Sequence, residues 1–447
     1  VSSNRFGGLL GPTSGAAEVD RELDDRALLA AMLRFEAALA RAQARVGLLP
    51  EAAAVAIAAA CVSEYYDVDD LGRRSAGTGA PVAPLTRDLV ARVPEDVRQW
   101  VHHGATTQDV MDTALMLLAD RATGLIDARL AAAAEASAEL ARRHRDTPMV
   151  ARTVGQHALP TTFGLRAAGW LTALDAARTR LAAARSGLAV QFGGAAGTLA
   201  ALGEAGTAVL GPFAEELGLT VPILPWHTDR GRVHELAGAL AAATATLGKI
   251  ATDVVLGSQQ EVGELAEPTG GASSAMPHKR NPIASVQVIA AARRTPGLVA
   301  TLLAAGSPEN ERAAGSWQAE WEPLRDLLHL TGGAAARIAE VLAGLRVRPR
   351  RMRANLDRTG GAILAERVAA RLAPTLGRAA ADDLVAELTR TAAERAVPLR
   401  EVLRADDRVD LTAQDIDAAL DPATYLGRAG EFVDRALSAH QRPGGQA

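Results

Sequence analysis

Three short polar islands interrupt an otherwise apolar, alanine-rich chain of 447 residues: VHHGATTQDVMDTA at 101–114, RTVGQHALPTTFG at 152–164 and GGASSAMPHKRNP at 270–282. The third cannot continue a helix, since two glycines and two prolines bracket it, yet it carries two serines, Lys279, Arg280 and Asn281. Hydroxyls beside a fixed cation and an amide are the groups that move a proton and hold developing negative charge. The order of a phosphate-binding GxxxxGK[ST] loop is absent. Taken singly, the other two islands have plain explanations. Thr106, Thr107 and Asp109 can cap the helix that follows, His102 and His103 can be partly buried and hydrogen-bonded, and Pro160 with Thr161 and Thr162 can open a helix.

Lysine is scarce here: among 48 basic residues, Lys249 and Lys279 are the only lysines. A chain that uses arginine almost everywhere keeps lysine where a compact ammonium is needed rather than a planar fork. Lys279, inside the third island, fits that description; Lys249 lies on a helical stretch and reads as a solvated surface residue.

What must position these islands is helical. The apolar positions Val233, Leu236, Leu240, Ala243, Leu247, Ile250 and Val254 step by three and four, a seam of small and medium side chains suited to a tight bundle. Leu28, Met32, Phe35 and Leu39 repeat the pattern, and 165–190 is a further long helical stretch. No segment alternates convincingly as a strand; Val221–Leu224 is short and lies between prolines. The fold class is all-α. Breaks divide the chain into an N-terminal helical domain (1–109), a central long-helix domain with the third island (110–345) and a small helical C-terminal domain (346–447). In the last, Asp410–Ala413 reads as a helix start with Thr412 as its cap.

Composition excludes several classes. A net charge of −4 leaves no global basic surface for nucleic acid. Cys61 is alone, so neither an intrachain disulfide nor a cysteine metal site is available, which fits a reducing, cytoplasmic setting. VSSNRFGGLLGP is not a signal peptide. The longest charge-free run, Ser186 to Gly203, is too rich in glycine to span a membrane. No histidine sits with acidic partners at metal-binding spacing and no dinucleotide loop follows a strand, so neither metal nor organic cofactor is expected.

The third island resembles the fumarase/aspartase superfamily signature GSSxMPxKxNP, with Ala272 in place of its glycine and Ser273, Ser274, Met276, Pro277, Lys279, Asn281 and Pro282 matching. The first island is similar to that superfamily's HxGxT[ST]xD segment and the second to TxxQxAxPxT, in the same order. Within the superfamily, PWHTDRGRVHELAGAL (225–240) and ERAAGSWQAEW (311–321) look like segments of the 3-carboxy-cis,cis-muconate cycloisomerase family. Val154 stands where the lyases usually place a general-acid histidine. That cycloisomerase family also departs from His at this point, and His157, three residues on, reads as a pocket or structural residue.

The resemblance implies a fumarase/aspartase-like three-domain fold whose long central helices form the core of a homotetramer, each active site being shared by three subunits. It implies an intramolecular lyase acting on a small tricarboxylate in protocatechuate catabolism (the β-ketoadipate pathway), with Ser273 as the proton-transfer residue. Lys279, Asn281, Thr106 and Thr107 would hold an aci-carboxylate. His102, Gln156, His157, Arg230, Ser274 and Arg312 would bind substrate, and Arg280 is a further cation of the loop. An adenylosuccinate lyase-type elimination releasing fumarate, and a helical scaffold without activity, are the alternatives.

Overall fold

A computed structural model describes residues 6–272, 276 and 278–442 of the chain. Helices dominate, as the periodicity requires, and the longest are Thr107–Arg143, Phe163–Ser186, Gly231–Ser258, Ile283–Ala304 and Ser316–Ala343. The chain divides into two compact units, both discontinuous in sequence. The first takes the described residues up to Ala132 with Ala176–Ala251 and Ala284–Ala339; the second takes Ala133–Asp175, Thr252–Ile283 and the chain from Glu340 onward.

The seam read from the sequence is buried along its whole length: Val233, Leu236, Leu240, Ala243, Leu247, Ile250 and Val254 are each at most 1% exposed. Helix Gly231–Ser258 is long and apolar enough to cross a membrane by length and composition alone, but these seam residues are spent on packing inside the protein. Lys249 lies on its exposed side.

In the first unit, helix Asp25–Arg45 begins at an Asp24 cap, whose carboxylate accepts from the Ala27 amide. It buries Leu29, Met32, Phe35 and Leu39, and Phe35 meets Phe213 edge-on at 5.0 Å. The N-terminal stretch is fastened by three of its residues around the buried His329. His329 Nδ1 lies 2.6 Å from Asp20, its Nε2 lies 3.0 Å from the Ser14 hydroxyl, and Phe6 stacks on its ring at 4.5 Å.

The second unit contains a hairpin that sequence patterning does not find. β1 (Pro148–Thr153) pairs antiparallel with β2 (Gln156–Thr162). A register shift between Val150 and Arg152, and Pro160 inside β2, destroy the period-two alternation that announces a strand. The C-terminal helices enclose their own core, in which Leu364, Val368, Leu372, Val385, Leu399 and Ile416 are buried. Thr412 caps helix Ala413–Ala419 through a reciprocal capping box with Asp415, as expected.

Candidate active site

In the first unit, the first island enters helix Thr107–Arg143 through a loop organised by one buried carboxylate. Asp109 is 0% exposed and accepts four donors: the Gly193 amide and His227 Nε2 on Oδ1 (3.0 and 2.7 Å), and the Thr106 and Gly194 amides on Oδ2 (3.0 and 2.9 Å). A buried anion is tolerated when every lone pair is answered in this way. Gly194 has φ +71°, and a Cβ on it would stand 2.8 Å from the Gly104 carbonyl, so the close approach of these two loops requires glycine. Thr106 and Thr107 are thereby placed at the helix start, both half-buried.

Arg312 reaches the same region. Its Nε donates to Gln108 Oε1 at 3.2 Å and its NH2 to the Gly194 carbonyl at 3.3 Å. Gln108 cannot turn over, because its amide nitrogen donates to Asp112 (3.2 Å) and to the His227 carbonyl (2.9 Å).

Arg230 corrects an expectation. It was expected to contact substrate, but it is 3% exposed and held between two buried acids. Its NH1 and NH2 donate to Asp112 at 2.9 and 3.0 Å, and its Nε and NH2 to Glu320 at 3.0 and 2.6 Å. Trp317 Nε1 adds a 2.9 Å bond to Asp112. No donor of this fork is left for a ligand, so Arg230 is a structural cation. Burial, opposed by Arg230, leaves the Glu320 carboxyl above its usual range.

His102 lies in the loop before Thr106, with φ +57°. Its Nδ1 is 2.6 Å from Glu36 Oε1, and Glu36 is 2% exposed. The imidazole is held above the usual histidine range: burial acts against the charged ring, and the Glu36 charge and hydrogen bond outweigh it.

In the second unit, the second island forms most of the β1–β2 hairpin, and Pro160 lies inside β2 rather than in the first turn of a helix. Gln156 is exposed, and His157 lies half-buried opposite Arg152. Burial, then the nearby Arg152 and Arg358, lower the His157 value, so its ring is neutral near physiological pH. The capping reading holds for Thr162, whose hydroxyl accepts from the Leu165 amide at 3.0 Å and opens helix Phe163–Ser186. The hairpin is tied down by a bidentate Arg152–Glu264 pair (2.8 and 3.0 Å), and Asn355 adds a 2.7 Å bond to the same fully buried carboxylate.

Glu264 also roots the third island. Its carbonyl accepts from the Arg348 amide, and Leu265–Ala266 pair with Arg346–Val347. Beyond that root the chain turns back on itself, Gly271 pairing with Asn281 and Ala272 with Arg280. A Cβ on Gly271 would stand 2.4 Å from Ile283 Cγ1, which accounts for a glycine there. Between this flap and the end of helix Gly231–Ser258 lies a cavity of about 950 Å³. Met276, His278, Lys279, Arg280, Asn281 and Arg348 are among its lining residues, which makes it a concave, cationic setting for an anion. Ser273 and Ser274 lie outside the described residues.

The structure therefore groups His102, Thr106, Thr107 and Arg312 in the first unit, and Gln156, His157, Lys279 and Asn281 in the second. Sequence reading missed Glu36, Gln108 and His227. For Glu36 a signal existed: Met32, Glu36, Leu39 and Gln43 share the helical step of three and four, so two polar residues occupy an apolar stripe. Among the described residues, no group of three or more His, Cys, Asp or Glu side chains could hold a metal ion.

Long helices carrying a glycine-rooted, cation-bearing flap describe an all-α lyase scaffold. The chain belongs to the family described as Lyase, which matches residues 15–297, and the adenylosuccinate lyase C-terminus matches 361–436. It is 47% identical over 438 residues to the 3-carboxy-cis,cis-muconate cycloisomerase of Pseudomonas aeruginosa, covering 96% of this chain and 95% of that protein. It is 46% identical over 451 residues to the nitrosuccinate lyase of Streptomyces davaonensis, covering 97% and 95%. The crystal structure of the 3-carboxy-cis,cis-muconate lactonizing enzyme from Pseudomonas putida superposes with a TM-score of 0.93 at 43% identity, over 98% of this chain and 99% of that one.

Proposed function

We propose that the protein closes 3-carboxy-cis,cis-muconate to 4-carboxymuconolactone. The near full-length identity to cycloisomerases carries this reading. One substrate carboxylate oxygen bonds to a carbon of a C=C bond, and the displaced electron pair moves onto a second carboxylate to give an aci-carboxylate. A proton then reaches the adjacent carbon, and no redox change occurs. Ser273 is the proposed proton donor. Lys279 and Asn281, with Thr106 and Thr107, would hold the doubly charged aci-carboxylate; each well-aimed donor to such charge contributes roughly 3 kcal/mol in a dry site. His102, Arg312, Gln156, His157 and Ser274 would bind the remaining carboxylates. Disappearance of muconate absorbance on adding purified protein tests the reading.

The nitrosuccinate lyase relative favours a second reading, β-elimination from a nitro-substituted succinate. A carboxylate leaves in the reverse of the lactonisation and nitrite leaves in this elimination, and both are weakly basic anions that need little protonation. That suits a hairpin with Val154 where a lyase would place an acid. Nitrite release without muconate loss would select this alternative; fumarate from adenylosuccinate would select the lyase reaction.

A homotetramer with sites shared by three subunits is part of the proposal, as are a cytoplasmic location and the three-domain division at 109/110 and 345/346. A shallow groove between helices Gly231–Ser258 and Ile283–Ala304 supports the assembly. It is lined by Ala241, Ala242, Ala245, Ala292, Ala300 and Leu303, and Leu303 is 55% exposed. Small side chains of this kind let a further helix approach closely.

A further inference from the structure

Helix Asp25–Arg45 buries Glu36 and Gln43 along an apolar stripe. A carboxylate in such surroundings is tolerated when a counter-charge or several donors answer it. Asp109 has four donors, whereas Glu36 has one partner. Its Oε1 meets His102 Nδ1 at 2.6 Å, and its Oε2 is buried without a hydrogen bond. The charge on Glu36 is thus balanced through a single imidazole.

The loop is pinned to this helix twice within two residues: His102 by its ring on Glu36, and the His103 carbonyl by Gln43 Nε2 at 2.8 Å. The pinning holds His102 at φ +57°, a conformation uncommon outside glycine. Its other ring nitrogen, Nε2, makes no hydrogen bond among the described residues, and the side chain keeps 22% exposure. One end of the ring is fixed and the other is offered.

We propose that Glu36 is a positioning residue, which fixes His102 through Nδ1 so that Nε2–H is presented as a charge-assisted donor to a carboxylate of the bound substrate. The identity of that carboxylate rests on the cycloisomerase reading; the pair itself does not. Around His102 the charges are Glu36 and Asp109, both favouring the imidazolium against burial. Around Glu36 stand Cys61 and Tyr66, whose ionisation burial and then neighbouring charges push up, Cys61 to about 12, so both are neutral and leave the carboxylate to His102. Arg41 acts on Cys61 from the same helix as Glu36. His102 is therefore protonated more readily than an ordinary histidine, and substrate affinity falls as pH rises through its raised value.

Two measurements test this. NMR titration of the His102 ring in the substrate-free protein is expected to show it titrating above the ordinary histidine range, and titrating lower in Glu36→Gln. A His102 that titrates at or below the ordinary histidine value in the wild type, or a titration unmoved by the substitution, overturns the proposal. In steady-state assays, Glu36→Gln is expected to raise KM about tenfold, the value of one charged hydrogen bond. The effect on kcat is expected to be smaller, and the alkaline rise in KM to move to lower pH. An unmoved pH profile with a lowered melting temperature would assign Glu36 to structure alone. The titration needs no substrate, so a wild type that leaves muconate unchanged defeats the reaction while Glu36 is still decided.

Discussion

His227 Nε2 lies 2.7 Å from Asp109 Oδ1, at the point where the Gly193–Gly194 turn and the Thr106 loop meet the start of helix Thr107–Arg143. Four donors converge on that carboxylate, and an amide in its place would turn an NH₂ toward at least one of them. Asp109→Asn is expected to lower stability by about 3 kcal/mol, the scale for breaking a buried charged contact. Urea denaturation measures it, and an unchanged midpoint would remove Asp109 as the organiser of this region.

Arg230 is expected to behave as a core residue. Arg230→Met leaves Asp112 and Glu320 buried without their cation, at a cost of about 3–5 kcal/mol. A variant that folds as well as the wild type and differs only in KM would return Arg230 to the substrate side.

For Lys279 the expectation is the reverse. It is exposed on the flap, so Lys279→Met should leave the melting temperature alone while kcat/KM falls about 100-fold. Lys279→Arg should recover little, since a planar fork does not replace an ammonium. Full activity in the arginine variant would undo the inference drawn from the scarcity of lysine.

The His102–Glu36 pair also predicts a pH dependence of stability. The folded state raises the histidine value, so the stabilisation is fully present below the unfolded value of about 6.5 and is lost as pH rises through the folded one. Glu36→Gln should flatten that decline in chemical denaturation series run from about pH 6 to pH 9. An identical slope in both proteins would show that the two groups are uncoupled.

At the small-residue groove, Ala245→Arg is expected to convert the proposed tetramer into smaller species, read by light scattering coupled to size exclusion. Ala245 is exposed, so the fold of the single chain should survive. A tetramer that persists would move the interface elsewhere.

Much of this was legible in the chain. The seam from Val233 to Val254, the Thr412 cap and the separation of the polar islands are local properties, and local periodicity or capping chemistry reveals them. The hairpin was not legible, because a bulge and Pro160 erase its alternation. Arg230 was misread for a related reason: nothing local distinguishes an arginine that meets a ligand from one that meets Asp112 and Glu320, far away in sequence. Of the site itself, the residue types on the flap could be read, and the support beneath them could not. Glu264 and Asn355 at the root of the flap, and Gln108 against Arg312 in the other unit, act through partners that only the fold brings close.

The hairpin turn has a consequence for engineering. Thr153 pairs with Gln156, so Val154 and Gly155 alone make the bend, at φ +50° and +77°. A β-branched residue in that conformation is strained, and asparagine would suit it better. A thermostability screen that ignored activity would replace Val154 early, with a gain of about 1 kcal/mol. Because Val154 is fully exposed within the single chain, any turnover lost in that exchange would measure what the enzyme gains from keeping valine there.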